Sequence, residues 1–276
     1  MTDVHTAPSP TLREEHSAQR GDFIWYELLT PDAEGAKKFY DRLVGWNVGE
    51  PAAEFSGYRM IGRSDGKSAG GIMPLTSEMQ QHGAKPTWLG YLSVNDVDEA
   101  VANVEREGGK ALMAAFDIPN VGRIALVRDP QGAPIYLMKP IPPAADPDAT
   151  SDVFSPSEPQ RVGWNELQTS DVEAARRFYG SQFGWTSDDF MPMGEMGEYR
   201  FFAHRGTTIG AVFKAQSEQP PHWRFYFRVP SISAAKSTAQ ANGGTIHMGP
   251  HQVPTGDWII VGTDPQGAEF ALVGGE

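Results

Sequence analysis

The sequence predicts an α+β protein built of two homologous domains, and three observations predict it. A long stretch occurs twice: "WYELLTPDAEGAKKFYDRLVGW" (Trp25–Trp46) is answered by "WNELQTSDVEAARRFYGSQFGW" (Trp164–Trp185). Each copy runs through the order strand, helix, short strands two times over. Each copy also closes on the same phrase, DPQGA, at Asp129 and again at Asp264. Repetition on this scale marks duplicated folding units. Domains of residues 21–140 and 160–276 follow, with a tail at 1–20 and a linker at 141–159.

The first strand is expected at Phe23–Leu29. A helix follows, with Thr30 as its N-cap, Pro31 at its first position and Asp32 where the helix dipole favours an anion. Ala36, Phe39, Tyr40 and Leu43 recur at helical spacing and form one apolar face, and Gly45 ends the helix. The second half repeats the plan. A strand runs from about Trp88 to Val94, and a helix from about Asp96 places Val97, Val101 and Val104 on one side, ending at Gly108-Gly109. DPQGA reads as a type I turn: Asp caps it, Pro presets the second position and Gly suits the fourth. Extended apolar segments flank it in both copies ("RIALVR" and "PIYLMK"; "WIIVGT" and "EFALVG"), so it joins the last two strands as a hairpin. The second domain carries matching signals, Tyr199-Arg200 for Tyr58-Arg59, Trp223 for Trp88 and Gly243-Gly244 for Gly108-Gly109. Between the domains, "PIPPAADPDATSDVFSPSEPQ" has a linker's composition.

Bulk properties set limits. The 276 residues carry a formal charge of −12 and no cysteine, and 39% are hydrophobic. No Lys/Arg cluster stands out, which argues against nucleic acid and anionic membranes as partners. Without cysteine there is no disulfide, no thiolate nucleophile and no Cys-based metal site. No apolar run approaches the roughly 20 residues that span a bilayer, and the N-terminus lacks the apolar core of a secretory signal. The expected location is the cytoplasm, as a monomer or a homodimer. There is no nucleophile elbow for a serine hydrolase, and "SAGG" is too short for a phosphate loop.

The Thr-x-Asp helix start, the Phe-Tyr…Gly-Trp helix end, the Gly-Gly after the second helix and the terminal Asp-Pro-x-Gly hairpin occur in one order, twice. That order resembles the vicinal oxygen chelate superfamily, the group of glyoxalase I, bleomycin-resistance proteins and extradiol dioxygenases. It is similar in particular to two-domain glyoxalase-like proteins of actinobacterial type. The resemblance implies tandem domains, each of two βαβββ modules whose curved mixed sheet wraps a cavity. It also implies where a divalent ion would be held, by His, Glu or Gln. Those positions carry Trp25, Leu89 and Tyr136 here, and Trp164, Arg224 and Ala271 in the second copy, with no acid or His near Gly71 or Gly210. Trp, Leu and Ala offer no donor and Arg repels a cation, so the expectation is no metal. A divalent metal with relocated ligands, such as Glu27 or Glu166 with His222, stays open.

Strand alternation assigns the cavity faces. Trp25, Glu27 and Leu29 share one face, as do Trp164, Glu166 and Gln168. In "WRFYFRV", Trp223, Phe225, Phe227 and Val229 point toward the helices, and Arg224, Tyr226 and Arg228 point the other way. Leu89, Tyr91 and Ser93 match the latter in the first domain. Tyr136 and Met138 face in, as do Glu269 and Ala271. Ligand-binding candidates are thus Trp25, Tyr91, Tyr136, Met138, Trp164, Arg224 and Tyr226, suited to a flat organic molecule. Glu27 and Glu166 are the candidate acid/base groups, although carboxylates in structural roles are the commoner case. Arg224 could neutralise Glu166, whereas Glu27 has no such partner. That difference assigns acid/base work to the first domain and an anionic group, through Arg224 or Arg228, to the second. His5 and His16 lie in the tail, His82 in a polar loop and His222 at a rim. His247 and His251 are not on a helix, and a place for His251 near Glu166 stays open. The functions consistent with these residues are a small-molecule binder, a metal-independent lyase or isomerase using Glu27, a metal enzyme with relocated ligands, and a non-enzymatic scaffold whose cavities are filled by their own side chains.

Overall fold

The computed structural model describes residues 20–147, 149–215 and 219–276. The expected tail, with His5 and His16, lies outside the described residues except for Arg20. The first domain contains β1 (Phe23–Thr30), α1 (Ala33–Leu43), β2 (Asn47–Val48), β3 (Arg59–Gly62), β4 (Ser68–Pro74), α2 (Ser77–Gln81), β5 (Thr87–Ser93), α3 (Val97–Arg106), β6 (Lys110–Ile118), β7 (Gly122–Arg128) and β8 (Pro134–Pro140). The second contains β9 (Val162–Thr169), α4 (Val172–Phe183), β10 (Phe190–Pro192), β11 (Glu198–His204), β12 (Thr207–Lys214), β13 (His222–Ser231), α5 (Ile232–Ala241), β14 (Thr245–Gln252), β15 (Trp258–Thr263) and β16 (Glu269–Gly275).

Each domain forms one eight-stranded mixed sheet, in the orders β2-β3-β4-β1-β5-β8-β7-β6 and β10-β11-β12-β9-β13-β16-β15-β14. Each half sheet sets its first strand innermost. β1 runs parallel to β4, β5 runs parallel to β8, and β1 and β5 meet antiparallel at the centre. The strands nearest the middle therefore carry the residues that matter: Trp25 sits opposite Tyr91, Glu27 opposite Leu89, and Tyr91 beside Tyr136.

Local chemistry fixes the ends of the elements. α1 starts two residues later than expected: Asp32, not Thr30, is its N-cap, with the carboxylate accepting from Gly35 N at 2.8 Å. Thr30 is the last residue of β1 and fully buried. A carboxylate at the cap both accepts the free N–H and meets the positive end of the helix dipole, so it outcompetes the hydroxyl. Asp171 does the same for α4. Val97 and Val104 are buried beneath α3, as their spacing requires, and Val101 is half-buried.

The two sheets pack through their helix-bearing faces, and one continuous aromatic core lies between them. Tyr26 meets Phe225 with ring centroids 5.0 Å apart, and Trp88 meets Phe227 at 4.6 Å. The DPQGA turns cross from one domain to the other. Asp129 Oδ1 accepts three backbone N–H groups of its own turn, from Gln131, Gly132 and Ala133. Its Oδ2 accepts from the Tyr179 hydroxyl of α4 at 3.1 Å, and Trp223 Nε1 donates to that hydroxyl. The mirror set joins Asp264, Tyr40 of α1 and Trp88. The indoles of the two Gly-Trp phrases also cross over, Trp46 to Gln160 O and Trp185 to Gly21 O. The repeated phrases are thus a two-way latch between the domains.

The connection 141–159 has a linker's composition, but part of it is pinned down. Val153 is buried, and Asp152 bridges Arg63, Lys67 and Arg161. Among the described residues no helix is long and apolar enough to cross a membrane.

Candidate functional site

The residues singled out from the sequence assemble into two groups, one on the outward, concave face of each sheet. In the first domain Glu27 lies at the sheet centre, 2% exposed. The Tyr91 hydroxyl donates to Glu27 Oε2 at 2.9 Å, and the Tyr91 ring stacks on Tyr136 with centroids 4.2 Å apart and planes 16° from parallel. Trp25 Nε1 donates to the Tyr58 hydroxyl at 2.8 Å, and that hydroxyl stands beside the carboxylate and favours its charge. Leu29, Leu89 and Met138 complete the buried cluster, with half-buried Trp25, Met73, Met113 and Leu126 around it.

Burial raises the Glu27 pKa from its ordinary 4.5 to about 7, and the two tyrosine hydroxyls offset only part of that rise. Among the described residues no cation is a cause of this shift. Glu27 Oε1 is buried without a hydrogen-bond partner. A buried polar oxygen left unpaired costs about 1–3 kcal/mol, so its persistence calls for a reason.

The second face repeats the frame with a different filling. Trp164 Nε1 donates to the Tyr199 hydroxyl at 2.8 Å, and Tyr199 donates to Glu166 Oε2 at 2.8 Å. Tyr226 donates to the same carboxylate at 3.2 Å, and Arg224 Nη1 donates to its Oε1 at 3.0 Å. Arg224 also grips Glu269 bidentately, at 2.8 and 3.0 Å. With the Gln168 amide oxygen turned toward the guanidinium, it accepts from both terminal nitrogens at 2.7 and 2.8 Å. All five N–H donors of Arg224 are then used. Burial pushes Glu269 up, but the bonds from His222 and Arg224 outweigh it and hold the carboxyl down at about 2.

This corrects the expectation of an anion site in the second domain. Arg224 is committed to the chain's own carboxylates, and Arg228 pairs with Asp257 through its two terminal nitrogens while its Nε is left without a partner. His251 lies exposed on β14, opposite Ile259, and the Glu166 cluster is completed by Arg224, Tyr199 and Tyr226 instead.

The side chains of the two faces offer a divalent ion few donors. In the first, the expected ligand positions are an indole, an aliphatic chain and a stacked phenol, and Glu27 is a lone carboxylate. In the second, Glu166 and Glu269 are bridged by the Arg224 guanidinium, and His222 faces Glu269. Among the described residues no group of three or more His, Cys, Asp or Glu is placed to hold a metal ion.

Sequence reasoning missed Tyr58 and Tyr199, whose hydroxyls tie each indole to its carboxylate. The signal was there: Tyr-Arg recurs in both copies, and the repeat that defines the domains contains the site. Tyr58 fits because its neighbour on β4 is Gly71, where an added Cβ would lie 1.9 Å from the Tyr58 hydroxyl. Gly71→Ala is therefore expected to fold with Tyr58 displaced, at a cost of about 1–3 kcal/mol. Denaturant titration measures this, and an unchanged midpoint would contradict the tight fit.

The residues close on themselves. Leu29, Leu89, Tyr91, Tyr136 and Met138 are all buried, and a ligand would enter past Trp25, Tyr58 and Met73, which are half-buried. Open depressions lie elsewhere, about 440 Å³ beside Glu173, Met196 and Lys214, and about 190 Å³ between Phe39 and Pro265.

With this geometry in view, three comparisons bear on the chain. A family model described as Glyoxalase/Bleomycin resistance protein/Dioxygenase superfamily matches residues 23–137 and 161–272. The chain is 31% identical over 257 residues to "Putative glyoxylase CFP32" of Mycobacterium tuberculosis (strain CDC 1551 / Oshkosh), covering 92% of this chain and 95% of that one. It is 30% identical over 274 residues to "Anthracycline biosynthesis protein DauV" of Streptomyces sp. (strain C5), covering 90% and 91%. Among solved structures it resembles the Mn(II)-bound glyoxalase from Novosphingobium aromaticivorans, with TM-score 0.62, 15% identity and coverage of 92% and 82%. It also resembles the 2,3-dioxygenase LapB from Pseudomonas sp. KL28, with TM-score 0.59, 13% identity and coverage of 94% of both chains. At those identities the structural likeness speaks for the fold alone.

Proposed function

Because this chain belongs to the Glyoxalase/Bleomycin resistance protein/Dioxygenase superfamily, we propose that it binds a small, flat organic molecule on the concave face of its first domain, without a metal. The observation that carries this reading is the buried, unpartnered oxygen of Glu27 among aromatic and methionine side chains. Ligand sites are mostly apolar surfaces with a few polar groups that fix orientation, and this face has that make-up. Methionines repack readily, so the closed face can admit a ligand without moving a strand. The relative named for anthracycline biosynthesis is in keeping with a flat ligand. The second face is occupied by its own ion pairs and serves as structure.

A second reading rests on the same carboxyl. A group that titrates near 7 is suited to exchange protons at neutral pH, as a metal-independent lyase or isomerase requires. It predicts turnover that Glu27→Gln abolishes while ligand binding survives.

Native mass spectrometry of the whole chain, purified without added metal and screened against flat aromatic compounds, tests the binding reading. The expected result is one ligand per chain, bound about tenfold more weakly in Glu27→Leu, and no bound divalent ion. A stoichiometric metal would overturn the metal-free assignment. Binding of no compound would favour a scaffold whose faces are filled by their own side chains.

A further inference from the structure

We propose that the first-domain face selects an uncharged aromatic ligand bearing a carbonyl oxygen, which the acid form of Glu27 recognises by donating a hydrogen bond from Oε1. This rests on the binding reading above and names its ligand class.

The oxygen that carries the proton decides which partner the carboxyl can take. Tyr91 donates to Oε2, so Oε2 is an acceptor. Where that bond is kept, a neutral carboxyl carries its O–H on Oε1, the oxygen without a hydrogen-bond partner. The Tyr58 hydroxyl beside it already accepts from Trp25, so a buried O–H on Oε1 is best satisfied by an acceptor from outside, and a carbonyl oxygen supplies one. An alkyl or unsubstituted aryl ligand would leave that donor unpaired.

The charge of the face narrows the class further. Glu27 is bonded by Tyr91 and stands beside Tyr58, and the buried cluster on its face includes Leu29 of β1, Leu89 of β5 and Tyr136 and Met138 of β8, with Trp25 and Met73 packed against it. The titratable groups among them are the three phenols, and burial drives each of those upward, so they stay neutral. No Lys, Arg or His contributes to the Glu27 environment. A carboxylate or phosphate ligand would be buried without a counter-charge, which is strongly unfavourable. The stacked Tyr91–Tyr136 pair and the Trp25 indole offer flat apolar surface. In the second domain the equivalent carboxylate has Arg224 on Oε1 and Tyr199 on Oε2, so the same ligand finds no free donor there. One site per chain follows.

A matched pair of probes tests this on the intact protein: 9-fluorenone and fluorene, which share a flat ring system and differ in the carbonyl. The chain has no cysteine to react with either. At about pH 6 fluorenone should bind once per chain and about tenfold more tightly than fluorene, the factor that one well-placed hydrogen bond provides. At about pH 8.5 its affinity should fall by up to about tenfold, to that of fluorene, because only the acid form of a group titrating near 7 donates the hydrogen bond. Fluorene should not respond to pH. Glu27→Gln places an N–H donor in the same position and should keep the carbonyl preference while removing the pH dependence. Glu27→Leu should bind both probes alike. Equal, pH-independent binding of the two probes to the unaltered chain would overturn the carbonyl inference and leave the binding reading standing. Binding of neither would overturn both.

Discussion

Asp129→Ala is expected to destabilise the protein by about 3–5 kcal/mol, the range reached when a buried group with several hydrogen bonds is removed. For a chain of this length that corresponds to a fall of roughly 10 °C in melting temperature. The reason is the number of groups the carboxylate serves: three backbone N–H donors of its own turn and the Tyr179 hydroxyl of the other domain. Asp264→Ala should behave alike through Tyr40. Tyr179→Phe removes only the contact across the interface and should cost about 1 kcal/mol. Calorimetry of the three variants decides the matter. If Asp129→Ala costs no more than Tyr179→Phe, the turn does not depend on its carboxylate and the latch is a minor contact.

The second large effect is a difference that depends on pH. The unfolded chain releases the Glu27 proton near 4.5, whereas the folded chain keeps it to about 7. Between those values the folded state binds more protons, so stability falls as pH rises through the window and levels off above it. A shift of that size corresponds to about 3 kcal/mol, and at 2% exposure solvent screening is slight. Glu27→Gln cannot titrate. Its stability relative to the unaltered chain should therefore improve by about 3 kcal/mol between pH 4 and pH 8. Urea titrations at both pH values measure it. A constant difference would show that Glu27 ionises in the fold as freely as in water, and the account of the site would fail with it.

Much of this was legible in the sequence, for identifiable reasons. Period-two alternation placed Trp25, Glu27, Tyr91, Tyr136 and Met138 on one face, because side-chain direction along a strand is set by backbone geometry alone. It placed Arg224 beside Glu166 for the same reason. Alternation does not say which residue from another part of the sheet reaches over the face, so Tyr58, just before β3, and Tyr199, on β11, were invisible as site residues although the repeat contained them. Nor does it say how a guanidinium divides its donors. Arg224 read as an open anion site until Glu269 and Gln168 were seen to fill it. The DPQGA turn was read correctly from its local chemistry. Its contact with the other domain's tyrosine is a long-range relation that no local pattern carries. The helix start moved from Thr30 to Asp32 because two good caps stood two residues apart, and the carboxylate had the dipole in its favour.

The central claim is that Glu27 on the first concave face is the polar anchor of a metal-free ligand site. A crystal structure of the intact chain with 9-fluorenone at about pH 6, well below the Glu27 midpoint of about 7, tests it most directly. The account predicts the ring system lying against Trp25 and the stacked Tyr91–Tyr136 pair, with Met73 repacked. It predicts the carbonyl oxygen within hydrogen-bond distance of Glu27 Oε1, and the Arg224–Glu269 face unchanged. Fluorenone bound in the second domain or on the surface, with the first face still closed over Glu27, would contradict it.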